Sequence, residues 1–103
     1  MISYVEKQGS HASVVHDDRT RTQFVLGNYE IIGWDQEEVC CMSPTGECNF
    51  FTATGENRGM YRLGLDKEEP ISFTNGILLY EDLGLKERFA YNRRTGETRH
   101  ANR

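Results

Sequence analysis

The sequence predicts an all-β fold, a small antiparallel meander closed as a barrel or as two packed sheets, with at most one short helical turn. Three observations carry this. Val, Ile, Phe, Tyr and Thr recur in short runs, and Gly, Asn, Asp and Ser cut those runs about every eight to twelve residues. No window places apolar residues at helical spacing over three turns, and the best helical candidate, Glu81 to Arg88, is interrupted by Gly84. The chain of 103 residues is 37% hydrophobic, enough to fold as one domain without room for a second independent core.

In chain order, strands are expected near Ile2–Lys7, Ala12–His16, Thr22–Leu26, Tyr29–Trp34, Val39–Met42, Glu47–Ala53, Met60–Leu65, Ile71–Phe73, Ile77–Glu81 and Arg88–Tyr91, with Glu97–His100 as a last partner. The tripeptide Thr-Gly-Glu occurs at Thr45-Gly46-Glu47, Thr54-Gly55-Glu56 and Thr95-Gly96-Glu97. Each follows a strand-like run, and glycine supplies the left-handed conformation that short hairpin loops require. Ser43-Pro44-Thr45-Gly46 suits a type I turn with Pro in second place. The recurrences share no period, so they read as turn chemistry used three times rather than as an internal repeat. Gly76-Ile77-Leu78-Leu79-Tyr80 lacks polar alternation and reads as a central strand covered on both faces. The expected core is Phe24, Leu26, Ile31, Val39, Phe50, Met60, Leu63, Ile71, Phe73, Ile77, Leu79 and Phe89. Residues 1–91 form the expected domain, and 92–103 a basic C-terminal hairpin or tail.

No apolar run approaches the ~18 residues of a membrane span, and the first residues lack the layout of a signal peptide. An odd count of three cysteines, Cys40, Cys41 and Cys48, fits free thiols in a reducing compartment, so a cytoplasmic location is expected. Their spacing lacks paired Cys-x-x-Cys ligands, and on a strand Cys40 and Cys41 point to opposite faces. Small apolar packing side chains are therefore expected, not a metal site.

Phosphate-binding loops, dinucleotide fingerprints, His-Glu-x-x-His pairs and nucleophile elbows are absent from the sequence. No enzyme activity and no cofactor are expected. The nearest approach to a catalytic cluster, His16-Asp17-Asp18, reads as a polar turn ending a strand. Carboxylate pairs at Glu37-Glu38, Glu68-Glu69 and Glu81-Asp82 read as solvating surface.

Charge is unevenly divided. Residues 86–103 hold six bases and two acids, a net of +4, whereas residues 1–85 hold six bases and fourteen acids, a net of -8. Nine of the twelve bases are Arg, whose planar fork suits bidentate contacts to carboxylates or phosphates. The expectation is a protein-binding module, inhibitor or adaptor that presents an acidic body and an Arg-rich hairpin, with Arg88, Arg93, Arg94, Arg99, Tyr91 and Trp34 as contact residues. An unpaired edge strand would add a route to homodimers. The acidic body could mimic a nucleic acid toward a basic partner. The alternative is a small β barrel that binds nucleic acid through the same arginines, with Phe89 or Tyr91 stacking on bases; the -8 body opposes this by repelling phosphate.

Overall fold

A computed structural model describes residues 1–101 of the chain; Asn102 and Arg103, the latter one of the six C-terminal bases, lie outside the described residues. Eleven strands account for the regular structure: β1 (Ile2–Gln8), β2 (His11–His16), β3 (Arg21–Val25), β4 (Glu30–Trp34), β5 (Glu38–Met42), β6 (Glu47–Thr52), β7 (Asn57–Arg62), β8 (Glu68–Thr74), β9 (Ile77–Asp82), β10 (Glu87–Asn92) and β11 (Thr98–Ala101). Every expected strand is present, including the last. The stretch expected to hold a helical turn is a four-residue turn between β9 and β10, with Lys86 at φ +55°.

Strands β1–β3 form a small antiparallel sheet, and the rest form one sheet in the order β11-β10-β9-β8-β4-β5-β6-β7. The larger sheet is thus two four-stranded meanders joined between β4 and β8, and it curls into a half-barrel. Barrel and sandwich are both partly realised. The interior of the curl holds Cys40, Cys48, Phe50, Leu63, Phe73, Leu78 and Tyr80. The small sheet packs on the other side of the β4–β7 meander, where Ile2, Val5, Ala12, Val14, Phe24 and Leu26 meet Val39 and Cys41.

Strand β5 therefore serves both cores. Val39 and Cys41 face one, Cys40 and Met42 the other, as the two-residue period of a strand requires. This corrects the expectation for residues 77–80. Strand β9 is central in its meander, but only Leu78 and Tyr80 are buried, while Ile77 and Leu79 are half-exposed on the outer face. Met60 and Ile71 are also outside the core, whereas Phe24, Leu26, Val39, Phe50, Leu63 and Phe73 lie in it.

The first two Thr-Gly-Glu turns are the same structure. Gly46 N–H donates to the Ser43 carbonyl (3.1 Å), Ser43 N–H to the Glu47 carbonyl (2.9 Å), and Ser43 Oγ accepts from Glu47 N–H (3.0 Å). At the second turn Gly55, Thr52 and Glu56 repeat all three bonds at 3.0, 2.8 and 3.1 Å. Gly46 and Gly55 sit at φ +94° and +93°, where a side chain is strained.

The junction between the meanders is narrow. Strands β4 and β8 are parallel and share one residue pair, Gly33 with Phe73. A Cβ at Gly33 would lie 2.3 Å from the Phe73 carbonyl oxygen, so the approach requires glycine. Register shifts flank the bridge, between Ile31 and Gly33 on β4 and between Pro70 and Ser72 on β8. Bulges bend strands and end pairing, and no second β4–β8 pair forms among the described residues.

Candidate partner-binding surfaces

The Asn92 side chain shapes the last hairpin. Its Oδ1 accepts from the N–H groups of Arg94 and Thr95 (2.9 and 3.2 Å), and its own N–H donates to the Glu97 carbonyl (2.8 Å). This turn sends Arg93 inward. The Arg93 guanidinium carbon lies 4.8 Å from the centre of the Phe50 ring, and Nη2 donates to the Arg58 carbonyl (2.8 Å) and to Glu38 Oε2 (3.4 Å). Nε is 3.3 Å from Glu38 Oε1, close enough for an ion pair, but its N–H finds no acceptor in line among the described residues. Arg93 thereby ties the β10–β11 turn to β5 and β7 across the open side of the half-barrel.

Tyrosines close the rest of that seam. Tyr91 stacks on Tyr61 with ring centres 4.0 Å apart, and the Tyr61 hydroxyl meets those of Tyr80 (2.8 Å) and Thr98 (3.3 Å). Burial, and then the Tyr61 hydrogen bond, push the Tyr80 phenol above the usual tyrosine range. Phe89 lies against Tyr80 and His100.

The six expected contact residues are not brought into one surface. Tyr91 and Arg93 are consumed by the seam. Trp34 sits edge-on to Tyr4 (5.6 Å) and packs against the core between the two sheets. Arg88 and Arg99 share the outer face of the hairpin because Arg99 lies opposite Ala90; each stands beside a carboxylate of its own sheet, Glu81 at 3.4 Å and Glu97 at 3.0 Å. Arg94 alone is brought together with Arg93: both line a polar cleft of about 500 Å³ over the seam, with Asp35, Glu38, Glu56 and Arg58.

At the opposite end of the half-barrel, where β4 and β8 part, a groove of about 550 Å³ opens. Ile32, Met42, Leu65, Pro70 and Leu83 supply its apolar surface, and Glu30, Glu68 and Glu69 its charge. Two pinned turns hold its rim. Leu83 N–H donates to the Lys67 carbonyl (2.6 Å), Gly64 N–H to Glu68 Oε1 (2.8 Å), and Leu85 N–H to Asp82 Oδ1 (2.9 Å). These bonds leave Leu65 41%, Leu83 48% and Leu85 64% exposed, with Ile71 at 42% on the neighbouring strand. The sequence reading missed this surface, although Leu-Gly-Leu occurs twice between charged residues, at 63–65 and 83–85. Leucine in a polar turn is the signal that could have found it.

The remaining candidates have structural roles. Asp18 Oδ1 accepts from the Thr20 hydroxyl (2.6 Å) and N–H (3.0 Å), which lowers its carboxyl below the usual range. The Thr22 hydroxyl donates to the Ala53 carbonyl (2.7 Å), so His16 Nε2, 3.0 Å from that hydroxyl, acts as the donor in their bond. Among the carboxylate pairs, Glu38 holds Arg93, Glu68 holds Gly64 and Glu81 faces Arg88. All three thiols are buried. Burial pushes the Cys41 thiol up to about 12, and a hydrogen bond with Cys48, reinforced by burial, raises that of Cys40. No cluster of three metal-capable side chains forms among the described residues. No helix there is long and apolar enough to cross a membrane.

Comparison with known proteins adds no family: no family model, no curated protein and no solved structure matches the chain.

Proposed function

We propose that the chain is a non-enzymatic protein-binding module, an adaptor or inhibitor working in a reducing compartment such as the cytoplasm. One observation carries this reading. Leu65 and Leu83 stand exposed in the lining of one groove that Glu30, Glu68 and Glu69 also line, and Leu85 is exposed on the same turn as Leu83. Folding leaves this apolar surface in water, and clustered apolar surface with a polar rim marks sites of protein association. The Arg-rich hairpin is a secondary contact through Arg88, Arg94 and Arg99, the three that do not close the seam.

A nucleic-acid partner is less well supported. Phe89 and Tyr91, which would stack on bases, are engaged with Tyr80, His100, Tyr61 and Phe50, and the arginines are dispersed. The test is affinity capture from nuclease-treated lysate with the wild type, Leu83→Asp/Leu85→Asp and Arg88→Ala/Arg99→Ala. A stoichiometric protein lost with the leucine variant supports the reading. Capture indifferent to the leucines, or recovery of nucleic acid alone, refutes it.

A further inference from the structure

The groove lies where a sheet has come apart. Among the described residues, from the Gly33–Phe73 bridge toward Glu30 and Glu69, β4 is paired only with β5 and β8 only with β9. The flanks of β4 and β8 that face each other carry backbone groups without a ladder partner. Strand flanks of this kind recruit an added strand, with main-chain hydrogen bonds giving affinity and alternate side chains giving specificity. The walls state what those side chains must be. Ile32, Met42 and Leu65 offer apolar contact, while Glu30, Glu68 and Glu69 offer negative charge.

We propose that this wedge receives an extended segment of a partner protein, lying as a strand between β4 and β8, in which lysine or arginine alternates with aliphatic residues. The proposal rests on the protein-binding reading and specifies its occupant. Alternation places aliphatic side chains on one face of the inserted strand and basic ones on the other; the first would meet Ile32, Met42 and Pro70 with Glu30 and Glu68 at their side, and the second Glu69, which lies opposite Glu81 on the outer face. A second copy of the chain is not favoured as occupant, since its exposed arginines Arg88 and Arg99 already face carboxylates of their own sheet.

The test uses the full chain and four labelled heptapeptides: acetylated Lys-Leu-Lys-Leu-Lys-Leu-Lys, its Glu-for-Lys counterpart, and two forms of the basic peptide N-methylated at alternate residues, one in each register. N-methylation deletes backbone donors and leaves side chains in place. By fluorescence anisotropy, the basic peptide should bind at least about tenfold more tightly than the acidic one. At least one N-methylated register should lose about tenfold or more, and so should the variants Glu68→Gln/Glu69→Gln and Leu65→Ser/Leu83→Ser. Hydrogen exchange should slow at residues 30–32 and 68–71 when the peptide binds. Equal affinity of basic and acidic peptides, indifference to both methylation patterns, or no binding of any peptide overturns the proposal. Capture of a leucine-dependent protein partner with no peptide binding would refute this occupant while leaving the protein-binding reading intact.

Discussion

Replacing Arg93 with alanine removes three interactions at once: the ion pair with Glu38, the bond to the Arg58 carbonyl and the contact with the Phe50 ring. Glu38 would be left as a carboxylate with only 11% of its side chain exposed. Deleting one partner of a fully buried pair costs about 3–5 kcal/mol, because the other charge loses its compensation. Arg93 retains 23% side-chain exposure, so water recovers part of that cost. The stacking on Phe50 adds about 0.5–1 kcal/mol. A net loss of about 3 kcal/mol is expected, which lowers the melting midpoint by about 12–24 °C in a domain of this size. Urea and thermal unfolding by circular dichroism measure both quantities. Arg88→Ala and Arg99→Ala are the controls, each expected to cost less than about 1 kcal/mol as exposed pairs. The double variant Glu38→Gln/Arg93→Met should recover at least about 1 kcal/mol relative to Arg93→Ala by removing the stranded charge. If Arg93→Ala is no worse than Arg88→Ala, or if the double variant is no better than the single one, the assignment of Arg93 to the seam is wrong.

Turn glycines should separate by their surroundings. Gly46→Ala meets both a positive φ and the Leu63 carbonyl, 2.4 Å from the new Cβ, whereas Gly96→Ala at φ +75° points into open space. The second should cost about 1 kcal/mol and the first clearly more by urea titration. None of the thiols should react with Ellman's reagent in the native state at neutral pH, and all three should react once urea unfolds the chain; a fast native reaction would contradict their burial. Thr20→Val should return the Asp18 carboxyl toward its usual range in an NMR titration, and the wild-type contribution, from a depressed carboxyl, should vanish as pH falls through its folded value. Tyr80, raised in the fold, should stabilise below the ordinary tyrosine pKa of about 10 and lose that contribution as pH climbs through its folded value. Tyr61→Phe should bring its ionisation down, as read by absorbance near the phenolate band.

Strand number and hairpin connection were legible because turn chemistry is local. Ser43, Thr52 and Asn92 each cap their own turn, so the residues that specify the loop lie within it. Face assignment was legible only where a strand alternates. At residues 77–80 all four side chains are apolar, and the choice of Ile77 and Leu79 over Leu78 and Tyr80 as core had no local information to decide it. Cys40, Cys41 and Cys48 show the complementary case: opposite faces for the first two followed from strand parity, but service in two cores followed from a third layer that no local pattern announces. The contact residues fared similarly. A run of arginines is visible in sequence, yet the turn that sends Arg93 inward and Arg94 outward is set by Asn92 and by Glu38 and Arg58, whose places depend on the long-range curl of the sheet. The groove between β4 and β8 depends on a pair forty residues apart, Gly33 with Phe73, and only its leucine-bearing turns left a trace in the chain.

That lone long-range pair also shapes how the molecule folds. Of nine strand ladders among the described residues, eight join strands consecutive in the chain, and only β4 with β8 reaches across intervening strands. Hairpins close over short loops at small entropic cost, so three units, β1–β3, β4–β7 and β8–β11, can each assemble from local contacts. Docking of β4–β7 with β8–β11 through Gly33, the tyrosine seam and Arg93 is then the late step. Substitutions at Gly33, Tyr61 or Arg93 should accelerate unfolding more than they slow folding, whereas defects in the Ser43 or Thr52 turns should slow folding itself.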